Sequence, residues 1–256
     1  MNTREQLRNV ISQKRFVKII AGIDNFDIEK VRNVVLAAEK GGASAVDVAA
    51  SEDIIRLTKE TTTLPVFVSS INPEELAMAV QYGADALEIG NFDALYRNGL
   101  RITAAEVLEI TERTRRLAGN DIFLSVTVPG HLEINEQIQL AQKLEEMGVD
   151  LIQTEGAAIV ETQADGARGL IQQAHVSIAN TVELVRNINI PVMTASGITS
   201  ITAPMAFAAG ASAIGIGSCV NKCGSVLEMT AAVMSVVSSV KNNSSVNEKT
   251  FAWINY

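Results

Sequence analysis

The sequence has only two cysteines and two histidines, so the residues that most often hold metal ions or form disulfides are scarce. Two cysteines are too few for a disulfide scaffold, which favours a reducing compartment. Cys219 and Cys223 stand at helical i, i+4 spacing with no further Cys or His to complete a ligand set. The sequence therefore predicts no metal centre and two buried thiols. Aromatic residues make up only 4% of the chain, so aliphatic side chains must build the core.

Positive charge is also in short supply, since the formal net charge is -8. This balance repels phosphate backbones and argues against general nucleic-acid binding. The first residues carry charges throughout and lack an apolar segment, so no secretory signal is predicted. No charged residue occurs from Asn187 to Asn221, but prolines and glycines interrupt this stretch. A membrane span is therefore not predicted, and a buried region lined by backbone is the better interpretation.

A short pattern that begins with glycine occurs four times, at residues 42–48, 83–89, 148–153 and 210–216. Each copy follows a helical stretch, so its glycine fits a left-handed helix cap and the residues after it a strand. Four further strands are predicted at 17–21, 65–69, 122–128 and 190–195. Amphipathic helices are predicted between the strands, at 27–40, 52–60, 73–81, 104–117, 133–147, 178–187, 203–209 and 226–241.

Eight strands, each followed by a helix, predict a single (β/α)8 TIM barrel that covers residues 1–256 as one domain. An open doubly wound sheet is the alternative, but it seldom alternates so regularly. In a barrel the chemistry lies at the carboxyl ends of the strands. The longest connection there, at residues 155–176, is predicted to be a lid over a ligand rather than a surface insertion.

The predicted ends of strands seven and eight carry the clearest local signal. Ser196, Gly197 and Ile198 follow strand seven, and Gly217 and Ser218 follow strand eight. In a barrel these two loops can hold a phosphate through backbone N–H groups, and glycine lets the backbone approach the oxygens. The stretch without charges fits this mode of binding, which uses aligned dipoles. The alternative is that these glycines serve tight turns and close packing.

Strand alternation places one set of residues, most of them polar, inside the barrel. This set comprises Lys18, Asp47, Phe67, Ser69, Glu88, Ser125, Thr127, Gln153, Glu155, Thr194 and Ser196. Burying one cation with several carboxylates costs free energy, unless the groups pair with one another or take part in the chemistry of the site. Lys18 with Asp47 or Glu88 suits proton abstraction next to a carbonyl or a Schiff base, and a structural ion pair is the alternative.

Glu155 lies where strand six meets the long loop, a position suited to a general base, although it could simply cap backbone amides. His131 follows strand five on the same side of the barrel and ranks below the carboxylates. The pattern Asn-Phe-Asp occurs at 25–27 and again at 91–93. Helix capping explains Asp27, whereas Asn91 could face a ligand from the rim.

Several strings resemble the hypothetical chloroplast open reading frame 23 (ycf) family, from about Phe16 to Lys241: IAGIDNFD at 20–27, EIGNFD at 88–93, LSVTVP at 124–129, IQTEG at 152–156 and GIGSCVN at 215–221. The chain departs from the expected pattern after Pro129, where Gly130 precedes His131. The resemblance implies an aldolase-type barrel, related distantly to phosphate-binding barrels such as thiazole synthase and sugar-phosphate epimerases. It implies a plastid stroma or a bacterial cytoplasm, and no particular reaction.

These observations favour an enzyme that acts on a small phosphorylated metabolite by aldol-type or isomerase chemistry. A regulatory protein that binds such a ligand without catalysis is the second hypothesis, since strong His or Cys candidates are lacking. An FMN-dependent barrel ranks third, because no Lys or Arg lies near the late strands to serve the flavin ring. Homo-oligomer formation is expected for a barrel of this size, and neither a nucleic acid nor a membrane is expected as a partner.

Overall fold

Eight parallel strands run in sequence order around a closed barrel in the computed structural model, which describes residues 3–96, 99–156 and 164–250. Each strand pairs with the next, and β8 pairs with β1. The strands are β1 Phe16–Gly22, β2 Ala45–Ala49, β3 Val66–Ser70, β4 Ala86–Ile89, β5 Phe123–Thr127, β6 Leu151–Gln153, β7 Val192–Thr194 and β8 Ala213–Ile216. The predicted (β/α)8 barrel is confirmed.

Helices follow the strands as the sequence predicts, with three additions. The helices are α1 Thr3–Ser12, α2 Ile28–Gly41, α3 Glu52–Thr61, α4 Pro73–Gln81, α5 Asp93–Tyr96, α6 Ala104–Ala118, α7 Ile134–Glu146, α8 Gly166–Asn187, α9 Ala203–Ala208, α10 Ser218–Asn221 and α11 Val226–Thr250. The sequence did not predict α1, α5 or α10. No helix in the described part of the chain is long and apolar enough to cross a membrane.

The repeated glycines and Asp27 act at helix ends as predicted. Gly42 ends α2 with a φ of 78°, and its N–H reaches back to the carbonyls of the last turn. Gly83, Gly148 and Gly210 also have positive φ angles, which glycine adopts without a steric penalty. The Asp27 carboxylate accepts hydrogen bonds from the first N–H groups of α2, the usual role of an N-cap.

The prediction of a long loop after β6 is partly wrong. Helix α8 begins at Gly166, so the second half of the predicted 155–176 loop is helical. Residues 157–163, which form the middle of the remaining part of the predicted lid, lie outside the described residues. The thiols of Cys219 and Cys223 are half-buried rather than buried.

The amino-terminal end of the barrel is filled by apolar side chains. Phe16, Phe67 and Phe123 meet there in edge-to-face contacts, with ring centroids 6.3 Å and 5.7 Å apart. Leu7 and Ile11 of α1 pack into the same buried cluster and close this end. A layer of polar side chains follows toward the carboxyl end, which places the polar interior on the side where barrel chemistry occurs.

Candidate functional site

A buried ion cluster occupies the middle of the barrel. Lys18 of β1 is completely buried, and its Nζ lies 2.9 Å from Asp47 Oδ2 and 3.0 Å from Glu88 Oε2. The same ammonium lies 5.0 Å from the centroid of the Phe67 ring below it, within cation–π range. The structure therefore brings together three residues that alternation assigned to the interior.

The cluster carries one more negative than positive charge when all its members are ionised. Burial alone lowers the pKa of Lys18, but the charges of Asp47 and Glu88 outweigh it, so the pKa is raised. Burial raises the pKa of Glu88, against the opposing effect of Lys18. The arrangement thus keeps Lys18 as an ammonium and favours the protonated form of Glu88.

A chain of hydrogen bonds leads from Glu88 toward the mouth. Thr127 Oγ1 donates to Glu88 Oε1 at 2.8 Å. Gln153 Nε2 in turn donates to Thr127 Oγ1 and to Asn91 Oδ1, both at 3.0 Å. The Gln153 Oε1 atom is buried, and no described group hydrogen-bonds to it. The β4, β5 and β6 side of the interior is therefore linked to the rim at Asn91.

A second branch returns from Asn91 to the ion cluster. Asn91 Nδ2 donates to Ser69 Oγ at 3.0 Å, and Ser69 Oγ donates to Asp47 Oδ1. Together with Lys18, the two branches close a ring of seven side chains. The backbone of Asn91 has a φ of 63°, an uncommon angle for a residue other than glycine. Asn91 is thus fixed at the rim by both its backbone and its amide.

A second polar group lies at the mouth around Glu155, which is nearly buried. Tyr96 Oη donates to Glu155 Oε2 at 2.6 Å, and the Gly130 N–H donates to the same oxygen at 3.3 Å. His131 Nδ1 lies 3.1 Å from Tyr96 Oη. Glu155 therefore does cap a backbone amide, and it also anchors a phenol and an imidazole at the mouth.

Electrostatics at His131 favour a neutral imidazole. Burial lowers the pKa of His131, and the nearby positive charge of Arg101 lowers it further, against a smaller opposing effect from Glu136. The Arg101 guanidinium stacks over the Tyr96 ring, with its carbon 4.6 Å from the centroid. Tyr96 and Arg101 are not predicted from the sequence, because both lie in a connection that has no periodicity and no motif.

At the end of β7 the chain takes two consecutive left-handed residues, Ser196 with φ 74° and Gly197 with φ 72°. A Cβ on Gly197 would lie 2.5 Å from the carbonyl oxygen of Gln173, so α8 packs directly on this glycine. Gly197 therefore has a packing role. The prediction that Thr194 faces the interior is wrong, because its Oγ1 lies 2.6 Å from Thr181 Oγ1 of α8.

Gly217 differs from Gly197 in its surroundings. A Cβ on Gly217 would meet its nearest neighbour, the Ile20 carbonyl oxygen, only at 3.9 Å. Gly217 precedes α10, and Asn221 of that helix donates to the same Ile20 carbonyl at 2.9 Å. Packing therefore does not demand a glycine at position 217.

This contrast predicts different responses to alanine. Gly197→Ala should destabilise the protein by about 2 kcal/mol or more, because the new Cβ meets rigid backbone and the φ angle is positive. Gly217→Ala should change the free energy of unfolding by less than about 1 kcal/mol. Urea unfolding of the two variants measures both values. Equal effects would contradict the packing role of Gly197.

The backbone N–H groups at the two strand ends share one property. Within the described ranges, no residue accepts a hydrogen bond from the N–H groups of Ser196, Gly197, Ile198, Gly217 or Ser218. Since β7 and β8 are adjacent and parallel, their carboxyl ends emerge at the same rim. Two neighbouring loops thus offer amide donors on the side of the barrel that carries Asn91 and His131.

Comparisons with solved structures place the fold among known barrels. The (S)-3-O-geranylgeranylglyceryl phosphate synthase of Thermoplasma acidophilum, solved in complex with sn-glycerol-1-phosphate, has a TM-score of 0.63 at 17% identity, over 94% of this chain and 99% of that chain. QR15, an aldolase, has a TM-score of 0.59 at 17% identity, over 92% of this chain and 98% of that chain. Identities this low show the fold alone, an aldolase-type TIM barrel.

Sequence comparisons give the family. The uncharacterised protein ycf23 of Pyropia yezoensis is 36% identical over 248 residues, covering 97% of this chain and 90% of that protein. The uncharacterised protein ycf23 of Cyanophora paradoxa is 40% identical over 225 residues, covering 88% and 92%. Residues 1–246 match the family described as a protein of unknown function, DUF561. The chain belongs to the DUF561 family and is similar to the ycf23 proteins of these two organisms.

Proposed function

We propose that the protein binds a small phosphorylated metabolite at the ends of β7 and β8 and converts it by lyase or isomerase chemistry. The observation that carries this proposal is the set of backbone N–H groups at Ser196, Gly197, Ile198, Gly217 and Ser218, which donate to no other described residue. Amides converging from two adjacent strand ends can hold phosphate oxygens without a cationic side chain. The Ser218 hydroxyl, which is exposed, adds a donor at the same place.

The polar interior supplies the proposed chemistry. Glu155, with Tyr96 and His131 linked to it by hydrogen bonds, forms the group for proton transfer next to a carbonyl, as in aldol and isomerase reactions. Lys18, Asp47 and Glu88 act behind the rim, and the ring of hydrogen bonds holds Asn91 toward the metabolite. A Schiff base at Lys18 is disfavoured, because that chemistry needs a neutral amine and the two carboxylates raise the pKa of Lys18.

The proteins of similar fold support the class of ligand. Several of them were solved with, or are named for, phosphorylated compounds, among them sn-glycerol-1-phosphate, 3-hexulose-6-phosphate and orotidine 5'-phosphate. These names belong to those proteins, and for this chain they make a phosphorylated metabolite the natural first ligand to test. The single domain over residues 1–256 and the homo-oligomer stay predictions. The plastid or bacterial location is also a prediction, and the algal relatives support it.

A regulatory protein is the second candidate, and one observation favours it. Lys18, Asp47 and Glu88 are paired with one another inside the barrel, so their charges are balanced largely without a ligand. Such a cluster can be purely structural. Under this alternative the phosphate site regulates a partner, and no bound compound is turned over.

A thermal-shift screen tests the proposal. The panel contains inorganic phosphate, triose, pentose and hexose phosphates, pyridoxal phosphate and FMN. A ligand at one hundred times its Kd stabilises the native state by about 2.7 kcal/mol, which raises Tm by roughly 5–10 °C for a domain of this size. We expect such a shift with at least one phosphorylated compound.

Two variants at one position locate the binding site. Gly217→Asp places a carboxylate beside the amides and should abolish the shift. Gly217→Asn adds a side chain of the same size without the charge and should keep most of it, since the position has room for a Cβ. No shift with any compound, or equal shifts in wild type and Gly217→Asp, would overturn the proposal. Binding without turnover would support the regulatory candidate.

A further inference from the structure

The group at the mouth that best suits proton exchange with a ligand is a histidine rather than a carboxylate. Glu155 is 2% exposed and Tyr96 is 8% exposed, whereas His131 is partly exposed at the rim. The three side chains come from different connections, Tyr96 after β4, His131 after β5 and Glu155 after β6. They meet only in the folded barrel, and they form a chain that runs from the buried carboxylate outward to the imidazole.

The hydrogen bonds of this chain fix the position of each proton. The phenol has a single proton, and Tyr96 Oη donates it to Glu155 Oε2 at 2.6 Å. With its proton in that bond, the phenol oxygen is left to accept, so its 3.1 Å contact with His131 Nδ1 is a hydrogen bond when Nδ1 carries the proton. In a neutral imidazole with a protonated Nδ1, the second nitrogen Nε2 is the basic one.

We infer that His131 presents Nε2 as the proton-accepting atom of the barrel mouth, and that Tyr96 and Glu155 are positioning residues that select this tautomer. The inference rests on the proposed function, because it names the group that takes the metabolite's proton. When Nε2 accepts a proton from the carbon next to the carbonyl, the C–H electron pair stays on the metabolite as an enolate. The imidazole becomes an imidazolium, and the phenol with the carboxylate behind it stabilises the new charge.

The charged surroundings of His131 support this role. Arg101 stacks on the Tyr96 ring and Glu136 faces the imidazole from α7, while Glu155 acts through the phenol. Burial and Arg101 lower the pKa of His131, so the base is unprotonated at neutral pH and ready to accept a proton. Gly130 contributes to the geometry, because a Cβ there would lie 2.6 Å from the carbonyl oxygens of Glu155 and Gly156.

Nitrogen NMR of the imidazoles tests the inference without a substrate. The sequence has two histidines, His131 and His175, so two sets of ring signals are expected from uniformly 15N-labelled protein. We expect His131 to show a protonated Nδ1 and an unprotonated Nε2 at neutral pH. A wild-type His131 with its proton on Nε2 would overturn the inference by itself.

Two variants test the positioning residues. Tyr96→Phe removes the acceptor of Nδ1–H and should shift the tautomer toward protonated Nε2. Glu155→Gln should act in the same direction, because an amide NH₂ can donate to the phenol oxygen and turn its proton toward Nδ1. Tyr82→Phe makes the same chemical change at the end of α4 and should leave both histidines unchanged. The signals of His175 should stay constant throughout.

An unchanged His131 tautomer in both Tyr96→Phe and Glu155→Gln would overturn the positioning roles, and either variant suffices if the other fails to fold. A pH titration adds a further check, since Arg101→Gln should raise the midpoint of His131. The thermal-shift screen measures ligand binding at Gly217, whereas the tautomer is measured without ligand. Failure of the inference and failure of the proposed function are therefore separate results.

Discussion

Lys18→Met is expected to destabilise the protein by about 3–5 kcal/mol, the usual cost of removing one partner from a buried ion pair. The substitution leaves Asp47 and Glu88 inside the barrel without their cation, and both side chains are at most 1% exposed. Methionine fills most of the volume of the lysine side chain, so the loss of stability comes from the missing charge rather than from a cavity. Urea unfolding should show it, and Tm should fall by roughly 10 °C.

Glu88→Gln is the matched variant for this experiment. It keeps an oxygen that can accept from Thr127, and it leaves Lys18 paired with Asp47, so its cost should be much smaller. It also leaves a cluster whose formal charges cancel. If Lys18→Met proves as stable as Glu88→Gln, the charge of Lys18 does not hold the interior together, and the ion cluster has no structural role.

The pH dependence of stability separates the two variants further. The pKa of Glu88 is raised in the folded protein, so the folded state binds this proton more tightly than the unfolded chain. The free energy of unfolding from this group therefore falls as the pH rises above its usual pKa of 4.5, and it levels above the folded pKa. Glu88→Gln should remove this slope. In Lys18→Met the deficit should shrink as acid neutralises the carboxylates.

The interior of the barrel could be predicted because strand side chains alternate with a period of two. In β1, β2 and β4 the outward positions are aliphatic, so Lys18, Asp47 and Glu88 had to share the inner face, and the structure confirms this. The same reasoning failed in β7, which has only three residues. There Met193 takes the interior position and Thr194 points to α8, where its hydroxyl meets Thr181, so the polarity of Thr194 does not mark the interior face.

Other parts of the candidate site depend on the course of loops, which a single sequence does not determine. Asn91 closes the ring of hydrogen bonds only because its backbone adopts a φ of 63° directly after β4. Tyr96 reaches Glu155 across two connections that are distant in sequence. Helix α1 was missed because only Leu7 and Ile11 of it are buried, too few to make a helical pattern stand out. Leu7 and Ile11 pack against phenylalanines of the barrel strands, which lie far away in the sequence.

Asp150→Asn is expected to cost about 3 kcal/mol, because one buried carboxylate holds together the amino-terminal end of the barrel. Its oxygens accept from Arg4 Nε at 2.9 Å, Arg8 Nε at 2.6 Å and Arg115 Nη2 at 3.2 Å. The Leu124 N–H also donates to it, at 2.9 Å. Asparagine can keep the last bond but cannot balance the arginines. Burial lowers the pKa of Arg115, whose side chain is 9% exposed, and the charge of Asp150 opposes that effect.

Arg8→Gln provides the control, since the Arg8 side chain is 52% exposed and exposed ion pairs contribute about 0–1 kcal/mol. Because Arg4 and Arg8 belong to α1, the loss in Asp150→Asn should also loosen that helix from the barrel. Hydrogen exchange of residues 3–12 should therefore accelerate in Asp150→Asn and change little in Arg8→Gln. If both the hydrogen exchange and the free energy of unfolding stay unchanged, Leu7 and Ile11 hold α1 on the barrel by apolar packing alone. The three arginines then do not stabilise this end of the barrel.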